Sequence, residues 1–387
     1  MFARRTSWNL NSNRLSAALQ QRRGAGRAIL DLTISNPTEC GFSYDSGAIL
    51  AALSQTKVLH YQPEPFGLRC AREAVSDYYK EHGADVEASR ILLTTGTSEA
   101  YSFIFRLLCD PGDEILIAAP SYPLLQFLAD IHDVRLVRYP LFYDHGWHID
   151  FDLLEKQITL KTRAVVAVHP NNPTGQFCSA DEMRRLQELC AISNIALVAD
   201  EVFLDFAHDG APRPTFAQHS ASLNFTLSGV SKICGLPQMK LAWLVASGPQ
   251  SLRDDALSRL DVIADAYLSM NTPVQLAAPR LLSSRKEFQR QLLERVRTNL
   301  AELDRALARQ DSCSRLEMQG GWNAVLRVPA VRSDEDLAVE LVSGPGTHVH
   351  PGHFYDFPRD GYAVLSLITA RETFREGIAK FLEFFRA

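Results

Sequence analysis

The stretch FTLSGVSKICGLPQMKLAW, residues 225–243, places Lys232 among small and apolar residues and a second lysine, Lys240, eight positions later. An apolar setting disfavours the ammonium form of a lysine, which lowers its pKa and makes the amine nucleophilic. Such an amine can condense with an aldehyde to give a Schiff base. Most lysines are solvated surface charges, so this interpretation depends on what the rest of the chain supplies.

Short apolar runs alternate with helix-like segments on both sides of this stretch. Seven of them are predicted to be strands, at residues 90–97, 114–120, 134–141, 163–170, 195–202, 224–229 and 240–247. This alternation is typical of a mainly parallel sheet with helices on both faces. We therefore predict an α/β fold whose large domain is a three-layer α/β/α arrangement around a mainly parallel, seven-stranded sheet.

The pattern of apolar and charged residues changes after about residue 255. A long charged helical pattern runs over 252–309, broken near 271–273, and short strand-like pieces follow at 321–328 and 361–368. This mixture predicts a second, smaller α+β domain, to which both termini contribute. The expected units are an N-terminal arm with part of the small domain (1–44), a large domain (45–275) and a C-terminal small domain (276–387).

Composition and charge limit the classes of protein to consider. The chain has 387 residues and a net charge of -5, which gives no reason to expect nucleic acid or a membrane as a partner. No apolar run approaches the roughly 20 residues that span a bilayer, and the first residues lack the apolar core of a secretory signal. Seven cysteines, with no CxxC pair, argue against a disulfide framework or a metal site and for a cytoplasmic protein.

Polar motifs follow the predicted strands at their carboxyl ends, where open α/β sheets bind ligands. The segment TTGTS, residues 94–98, lies between a strand and a helix. Gly96 would allow close approach, and the N–H groups of a helix start favour a phosphate, although a simple helix cap has the same sequence. Tyr122 follows the next strand and could stack on a planar ring or only cap the core.

Two further motifs complete this set. Asn172 lies in NNPTG at 171–175, a turn sequence whose second asparagine could also donate to a ligand oxygen. Asp200 ends an apolar run, where a carboxylate is costly without a charged partner such as a protonated pyridine nitrogen. A phosphate cradle, a stacking aromatic, an amide donor, a buried carboxylate and a desolvated lysine together describe a site for pyridoxal 5'-phosphate.

With these motifs in this order, nearly the whole chain resembles the fold-type I pyridoxal-phosphate enzymes of the class I/II aminotransferase group. The segments that carry the resemblance are Tyr61 with Gly67 and Arg72, TTGTSEA (94–100), PSYP (120–123), NNPTG (171–175), DEVF (200–203), SGVSKICGLPQMKLAW (228–243), GGW (320–322) and HPG (350–352). The resemblance implies transfer of an amino group between an amino acid or amine and a keto acid or aldehyde, through an aldimine on Lys232. It also implies a homodimer whose subunits share their active sites.

The resemblance assigns a role to each candidate residue. Lys232 would bond to the cofactor and carry a proton from the substrate α-carbon, and Asp200 would keep the pyridine nitrogen protonated. Asn172 would donate to the phenolic oxygen of the ring, and Tyr122 would stack on its face. The expected phosphate contacts are Gly96, Thr97, Ser98, Ser231, Lys240 and, from the neighbouring subunit, Tyr61.

Several positions depart from the family pattern around the cofactor. Phe203 stands where a tyrosine is common, so the phenolic oxygen would lose one donor. Lys240 replaces an arginine, which keeps the charge but loses the planar fork. Gly229 replaces a phosphate-binding serine, and Ser228 or Ser231 could substitute for it.

The substrate end departs further. Members that act on ordinary amino acids typically carry an arginine that grips the α-carboxylate, and in GYAVLS, residues 361–366, Val364 stands in its place. Ser35 stands where many relatives have a glycine. Either another cation supplies the contact, or the substrate lacks a conventional α-carboxylate, or the site serves other chemistry. The candidate cations are Arg371, Arg359 and His353.

Two other functions remain open at the level of sequence. A pyridoxal-phosphate lyase, decarboxylase or racemase would use the same lysine and ring contacts. A cofactor-binding sensor without turnover is a non-enzymatic alternative, but such regulators usually carry a DNA-binding head, and only a short arm precedes the cofactor domain here.

Overall fold

The computed structural model describes residues 1–218 and 221–386. Its strands are β1 Leu30–Asp31, β2 Ile91–Thr94, β3 Glu114–Ala119, β4 Arg135–Tyr143, β5 Trp147–Ile149, β6 Thr162–Val168, β7 Ala196–Asp200, β8 Asn224–Gly229, β9 Ala242–Ser247, β10 Ser314–Arg315, β11 Asn323–Arg327, β12 Thr347–His348, β13 His350–Pro351 and β14 Tyr362–Ser366. Its α-helices are α1 Arg14–Gly24, α2 Ser46–Leu53, α3 Arg69–Glu81, α4 Thr97–Leu108, α5 Leu125–Ile131, α6 Phe151–Gln157, α7 Ala180–Ile192, α8 Val230–Ile233, α9 Gln250–Tyr267, α10 Thr272–Ser283, α11 Arg285–Leu307, α12 Asp334–Ser343 and α13 Arg371–Glu383.

The large sheet has the strand order β2-β9-β8-β7-β6-β3-β4-β5. The five strands from β8 to β4 in this order run parallel to one another, whereas β9 is antiparallel to both β2 and β8. The predicted mainly parallel sheet is confirmed, and all seven predicted strands are present. The expected count of seven was one too low, because the short strand β5 returns antiparallel along β4. Three residues are too few to give a periodic signal in the sequence.

Helices cover both faces of this sheet. Ile117 and Val198 belong to an apolar cluster with side chains of α4, α5 and α9. Leu116 and Leu197 belong to another, with side chains of α6 and α7. Because neighbouring residues of a strand point to opposite faces, the sheet is buried on both sides. The predicted three-layer α/β/α arrangement is therefore confirmed.

The smaller unit is built around the antiparallel sheet β10-β11-β14-β13. β1, from the N-terminal part of the chain, pairs in parallel with β12, so both ends of the chain contribute to this unit. Val296 of α11 and Phe374 of α13 join its apolar core. The domain boundaries at residues 44/45 and 275/276 stay predictions.

The long helical pattern over 252–309 forms three helices, α9, α10 and α11. The side chain of Asn271 accepts a hydrogen bond from the N–H of Val274 and so caps α10, which explains the break at that point. Of the helices in the described ranges, none combines the length and the apolar character that crossing a bilayer requires.

Candidate active site

A cavity of about 360 Å³ opens at the carboxyl edge of the large sheet, where that edge meets the smaller unit. The strands β6, β7 and β8 deliver their last residues to its wall, as expected for the edge at which parallel strands end. Seven of the residues predicted from the sequence line it, namely Thr97, Ser98, Tyr122, Asn172, Asp200, Ser231 and Lys232. Gly96, Lys240 and Tyr61 are not part of its lining.

Lys232 lies in α8, directly after β8. Its Nζ is 5.2 Å from the centre of the Trp322 ring and 5.9 Å from that of the Phe203 ring. Burial lowers the pKa of this amine, and the negative charge of Asp200 offsets only part of that effect. A lysine with a lowered pKa presents more of the neutral amine, which is the form that attacks an aldehyde.

Asp200 faces the cavity with few partners. Its Oδ2 accepts a hydrogen bond from the Tyr101 hydroxyl at 3.1 Å, and its Oδ1 accepts one from the N–H of Val202 at 3.2 Å. Burial raises the pKa of the carboxyl to about 6, against the lowering effect of these donors and of Lys232. Within the described ranges no cation lies at ion-pair distance from Asp200, so the carboxylate fits a ligand that brings its own positive charge, such as a pyridinium nitrogen.

The start of α4 forms an open, positively polarised cradle. The first N–H groups of a helix have no acceptor within it, and Gly96, at the cap position, has no side chain to supply one. The Nζ of Lys240 lies 3.6 Å from where a Cβ on Gly96 would stand. Helix dipole, free N–H groups and a lysine amine together suit a phosphate. The predicted residues Gly96, Thr97 and Lys240 thus meet at one point.

Close packing explains why position 229 is glycine and not the serine of the family pattern. A Cβ on Gly229 would stand 2.7 Å from the Cβ of Ala242, its partner in the β8–β9 ladder. Of the two serines expected to substitute, Ser231 lines the cavity. Ser228 is fully buried, and its hydroxyl lies 3.5 Å from the carbonyl oxygen of Glu201. Ser231 is therefore the serine placed to contact a ligand.

Asn172 is oriented by a residue that the sequence analysis missed. The Nδ2 of Asn323, on β11, donates to the Oδ1 of Asn172 at 2.8 Å. Since the amide oxygen is engaged, the NH₂ group of Asn172 is the part left for a ligand in the cavity. This agrees with the predicted role as a donor to an oxygen atom.

Tyr122 and Tyr61 have different surroundings. Tyr122 lines the cavity and keeps 47% of its surface exposed, so it does not serve as a core cap. Tyr61 is 67% exposed and lies outside the cavity of its own protomer. Its predicted contact with the cofactor of a neighbouring subunit stays a prediction.

The smaller unit forms part of the cavity wall. His350 lines the cavity, and its Nδ1 lies 3.0 Å from the Tyr355 hydroxyl. Val364 pairs with His350 in the β13–β14 ladder, but its side chain is 1% exposed and packs among Trp147, Phe357 and other apolar residues.

None of the three candidate cations lines the cavity. Arg371 pairs with Glu294 at 2.8 Å on the surface, and Arg359 and His353 are exposed. The sequence pattern HPG at 350–352 was the available signal for His350, whereas nothing in the sequence singled out Tyr101, Asn323 or Tyr355.

The sequence profile of the family described as "Aminotransferase class I and II" matches residues 28–362. The chain belongs to this family. Members of this family use pyridoxal 5'-phosphate. The cofactor contacts expected of Lys232, Asp200 and Asn172 stay predictions.

Characterised relatives of this family member are distant. Glutamate-pyruvate aminotransferase AlaA of Haemophilus influenzae is 28% identical over 254 residues, which cover 65% of this chain and 63% of that protein. Tyrosine aminotransferase of Mus musculus is 25% identical over 347 residues, 86% of this chain and 76% of that protein. The chain thus matches less than two thirds of the length of AlaA.

Solved structures share the fold across the whole chain. Alanine aminotransferase from Pyrococcus furiosus superposes with a TM-score of 0.91 at 20% identity, covering 100% of both chains. Aspartate aminotransferase from Thermotoga maritima superposes with a TM-score of 0.84 at 18% identity, again covering 100% of both. These likenesses establish the fold of this family member.

Proposed function

We propose that the chain is a pyridoxal-phosphate-dependent aminotransferase that moves an amino group between an amino acid or amine and a keto acid or aldehyde. The observation that carries this proposal is the pairing, in one cavity, of a lysine amine with a lowered pKa and a buried carboxylate that lacks a cation. Membership of the aminotransferase family supports it.

When bound, pyridoxal phosphate supplies a reactive aldehyde and a ring that withdraws electrons from the substrate α-carbon. Asp200 would hold a proton on the ring nitrogen, and the Asn172 amide would donate to the phenolic oxygen. The start of α4 and Lys240 would hold the phosphate, with Ser231 beside it, and Tyr122 would cover the ring. Lys232 would hold the aldehyde carbon and would move the proton at the substrate α-carbon.

Phe203 changes the support that the ring receives. It has no hydroxyl to offer, and it stands edge-on to Trp322 with ring centres 4.7 Å apart. Both rings lie near the amine of Lys232. We expect this apolar wall to exclude water from the lysine, which keeps its pKa low.

We further propose a cytoplasmic homodimer with shared active sites. The described part of the chain has seven cysteines, all unpaired, which suits a reducing compartment. Tyr61 and Leu59, two positions earlier in the chain, are 67% and 88% exposed, so both side chains are open to contact with a partner subunit.

Borohydride trapping tests the assignment of Lys232. The protein is loaded with pyridoxal phosphate and reduced, and its peptides are mapped by mass spectrometry. We expect the phosphopyridoxyl group on Lys232, and Lys232→Ala should abolish both this label and amino transfer. Lys380→Ala, which alters a partly exposed lysine of α13 that pairs with Glu376, is the matched control and should keep both. Labelling that persists in Lys232→Ala would refute the assignment.

Product analysis separates the proposal from a lyase, decarboxylase or racemase. An aminotransferase consumes donor and acceptor in equal amounts and releases neither ammonia nor carbon dioxide. Release of either without a carbonyl acceptor, or racemisation of the donor, would favour the alternative chemistry.

A further inference from the structure

The substrate end is the part of the cavity that His350 and its neighbours line, and the described residues of its own protomer give it no fixed positive charge. Among the lining residues that the structure describes, only Lys232 and His350 have basic side chains, and no arginine is present. Lys232 is committed to the cofactor in the proposed function. His350 is therefore the one group whose protonation could hold an anionic substrate group.

His350 is held in its neutral form. Its ring lies 5.9 Å from the rings of both His348 and Phe354, and its Nδ1 is engaged with the Tyr355 hydroxyl. The titratable groups around it are His348, Asp31 and Tyr355, and Asp31 already pairs with His348 at 3.1 Å. Burial, reinforced by His348, lowers the pKa of His350 to about 4. Its free ring nitrogen can then exchange a hydrogen bond but offers no charge.

The remaining lining is mostly apolar or neutral. Leu124, Leu125 and Leu128 line the cavity from the segment around α5, and Phe354 lies beside His350. The polar groups at this end are neutral and include Asn323. A carboxylate enclosed here would lose its hydration without gaining a cation, which is costly.

We propose that the natural donor is a primary amine with an aliphatic or aromatic body and no carboxylate on the carbon that bears the amine. This rests on the proposed function and names its substrate class. The exchange is R–CH₂–NH₂ + R'–CHO → R–CHO + R'–CH₂–NH₂. On the donor carbon a C–N bond breaks and a C=O bond forms, with oxygen taken from water. On the acceptor carbon the C=O bond breaks and a C–N bond forms, and that oxygen leaves as water. One hydrogen moves from the donor carbon to the acceptor carbon, so the reaction needs no external oxidant or reductant.

Binding of two stable conjugates to the cofactor-free protein tests the proposal without turnover. The conjugates are the reduced adducts of pyridoxal phosphate with 2-phenylethylamine and with L-phenylalanine, which differ only in the α-carboxylate. Their Kd values are measured by calorimetry. We expect the carboxylate-free conjugate to bind at least about tenfold more tightly, because one buried unpaired charge costs at least that much.

Two substitutions locate the preference. His350→Arg adds a fixed cation and should shift the ratio of the two Kd values at least about tenfold toward the carboxylated conjugate, whereas His350→Gln, which stays neutral, should keep the wild-type ratio. Circular dichroism checks that both variants fold. If His350→Arg does not fold, the ratio of the two Kd values of the wild-type protein alone tests the substrate class. Equal binding, or tighter binding of the phenylalanine conjugate by the wild-type protein, overturns the substrate class but leaves the aminotransferase proposal standing. Failure of both conjugates to bind overturns the aminotransferase proposal itself.

Discussion

Two consecutive carboxyl groups at the end of β7 meet very different surroundings. Asp200 faces the cavity, whereas Glu201 is fully buried and accepts hydrogen bonds at 2.6 Å from the Thr215 hydroxyl and from the N–H of Phe216. Successive side chains of an extended chain point to opposite sides, which explains why Asp200 faces the cavity and Glu201 faces the protein interior. Burial raises the pKa of Glu201 to about 8, so its protonated form is favoured in the folded protein.

The raised pKa of Glu201 predicts a stability that falls with pH. In the unfolded chain the group titrates near 4.5, so its contribution is complete below that pH and is lost as the pH rises toward about 8. Glu201→Gln removes this loss. Both proteins are compared without cofactor. We expect the difference in free energy of unfolding, variant minus wild type, to increase by about 1 kcal/mol per pH unit between about pH 5 and pH 8.

Chemical denaturation across this pH range measures that difference. Asp200 also titrates in this window, and its negative charge is one cause of the raised pKa of Glu201. The difference between the two curves therefore reports Glu201 together with this coupling. Glu188→Gln, at an exposed position of α7, is the control and should give a curve parallel to the wild type. A Glu201→Gln curve that also runs parallel would contradict a buried, protonated Glu201.

At the scale of elements, the sequence predicted what lies at the ends of parallel strands. The apolar runs identified the strands, and strands of one parallel sheet share an edge, so Thr97, Asn172, Asp200 and Lys232 could be expected to meet. The side chains that the smaller unit contributes to the cavity could not be predicted in this way. Asn323 reaches the cavity only because the small antiparallel sheet packs over that edge, and no local periodicity encodes this docking.

The β8–β9 ladder predicts the cost of restoring the family serine at position 229. Gly229 has extended backbone, so the obstacle is the 2.7 Å approach to the Cβ of Ala242 and not a strained dihedral angle. Gly229→Ser should destabilise the protein by about 1–3 kcal/mol through overpacking. Ala242→Gly alone should cost about 0.5–1 kcal/mol.

A double-mutant cycle checks this contact. In Gly229→Ser/Ala242→Gly the closest obstructing atom is gone, whereas the Cα of residue 242 at 2.9 Å and the carbonyl oxygen of Leu241 at 3.0 Å remain. We therefore expect the double variant to be more stable than the sum of the single changes predicts, but to stay less stable than the wild type. Free energies of unfolding from denaturant titrations give the coupling. Strict additivity would show that the Cβ of Ala242 is not the obstacle and would leave the backbone of residues 241 and 242 as the part that excludes a side chain at 229.

At the scale of the whole molecule, the cavity of one protomer accounts for most of the predicted ligand contacts but not for Tyr61. That side chain is exposed to solvent. In a two-fold symmetric dimer each surface patch meets its own copy, so two Tyr61 side chains could serve two sites reciprocally. The proposed dimer therefore predicts that the activity of each site depends on Tyr61 of the other subunit.

Mixing two inactive variants tests this dependence. Lys232→Ala subunits lack the reactive amine but keep Tyr61, and Tyr61→Ala subunits keep the amine but lack the tyrosine that their partner needs. If Tyr61 acts across the interface, a heterodimer contains one site with both residues intact and one with neither. Random reassociation in equal amounts makes half of the dimers mixed, so about a quarter of the wild-type activity should return. If Tyr61 served its own subunit, every site in every dimer would lack one residue, and mixing would restore nothing.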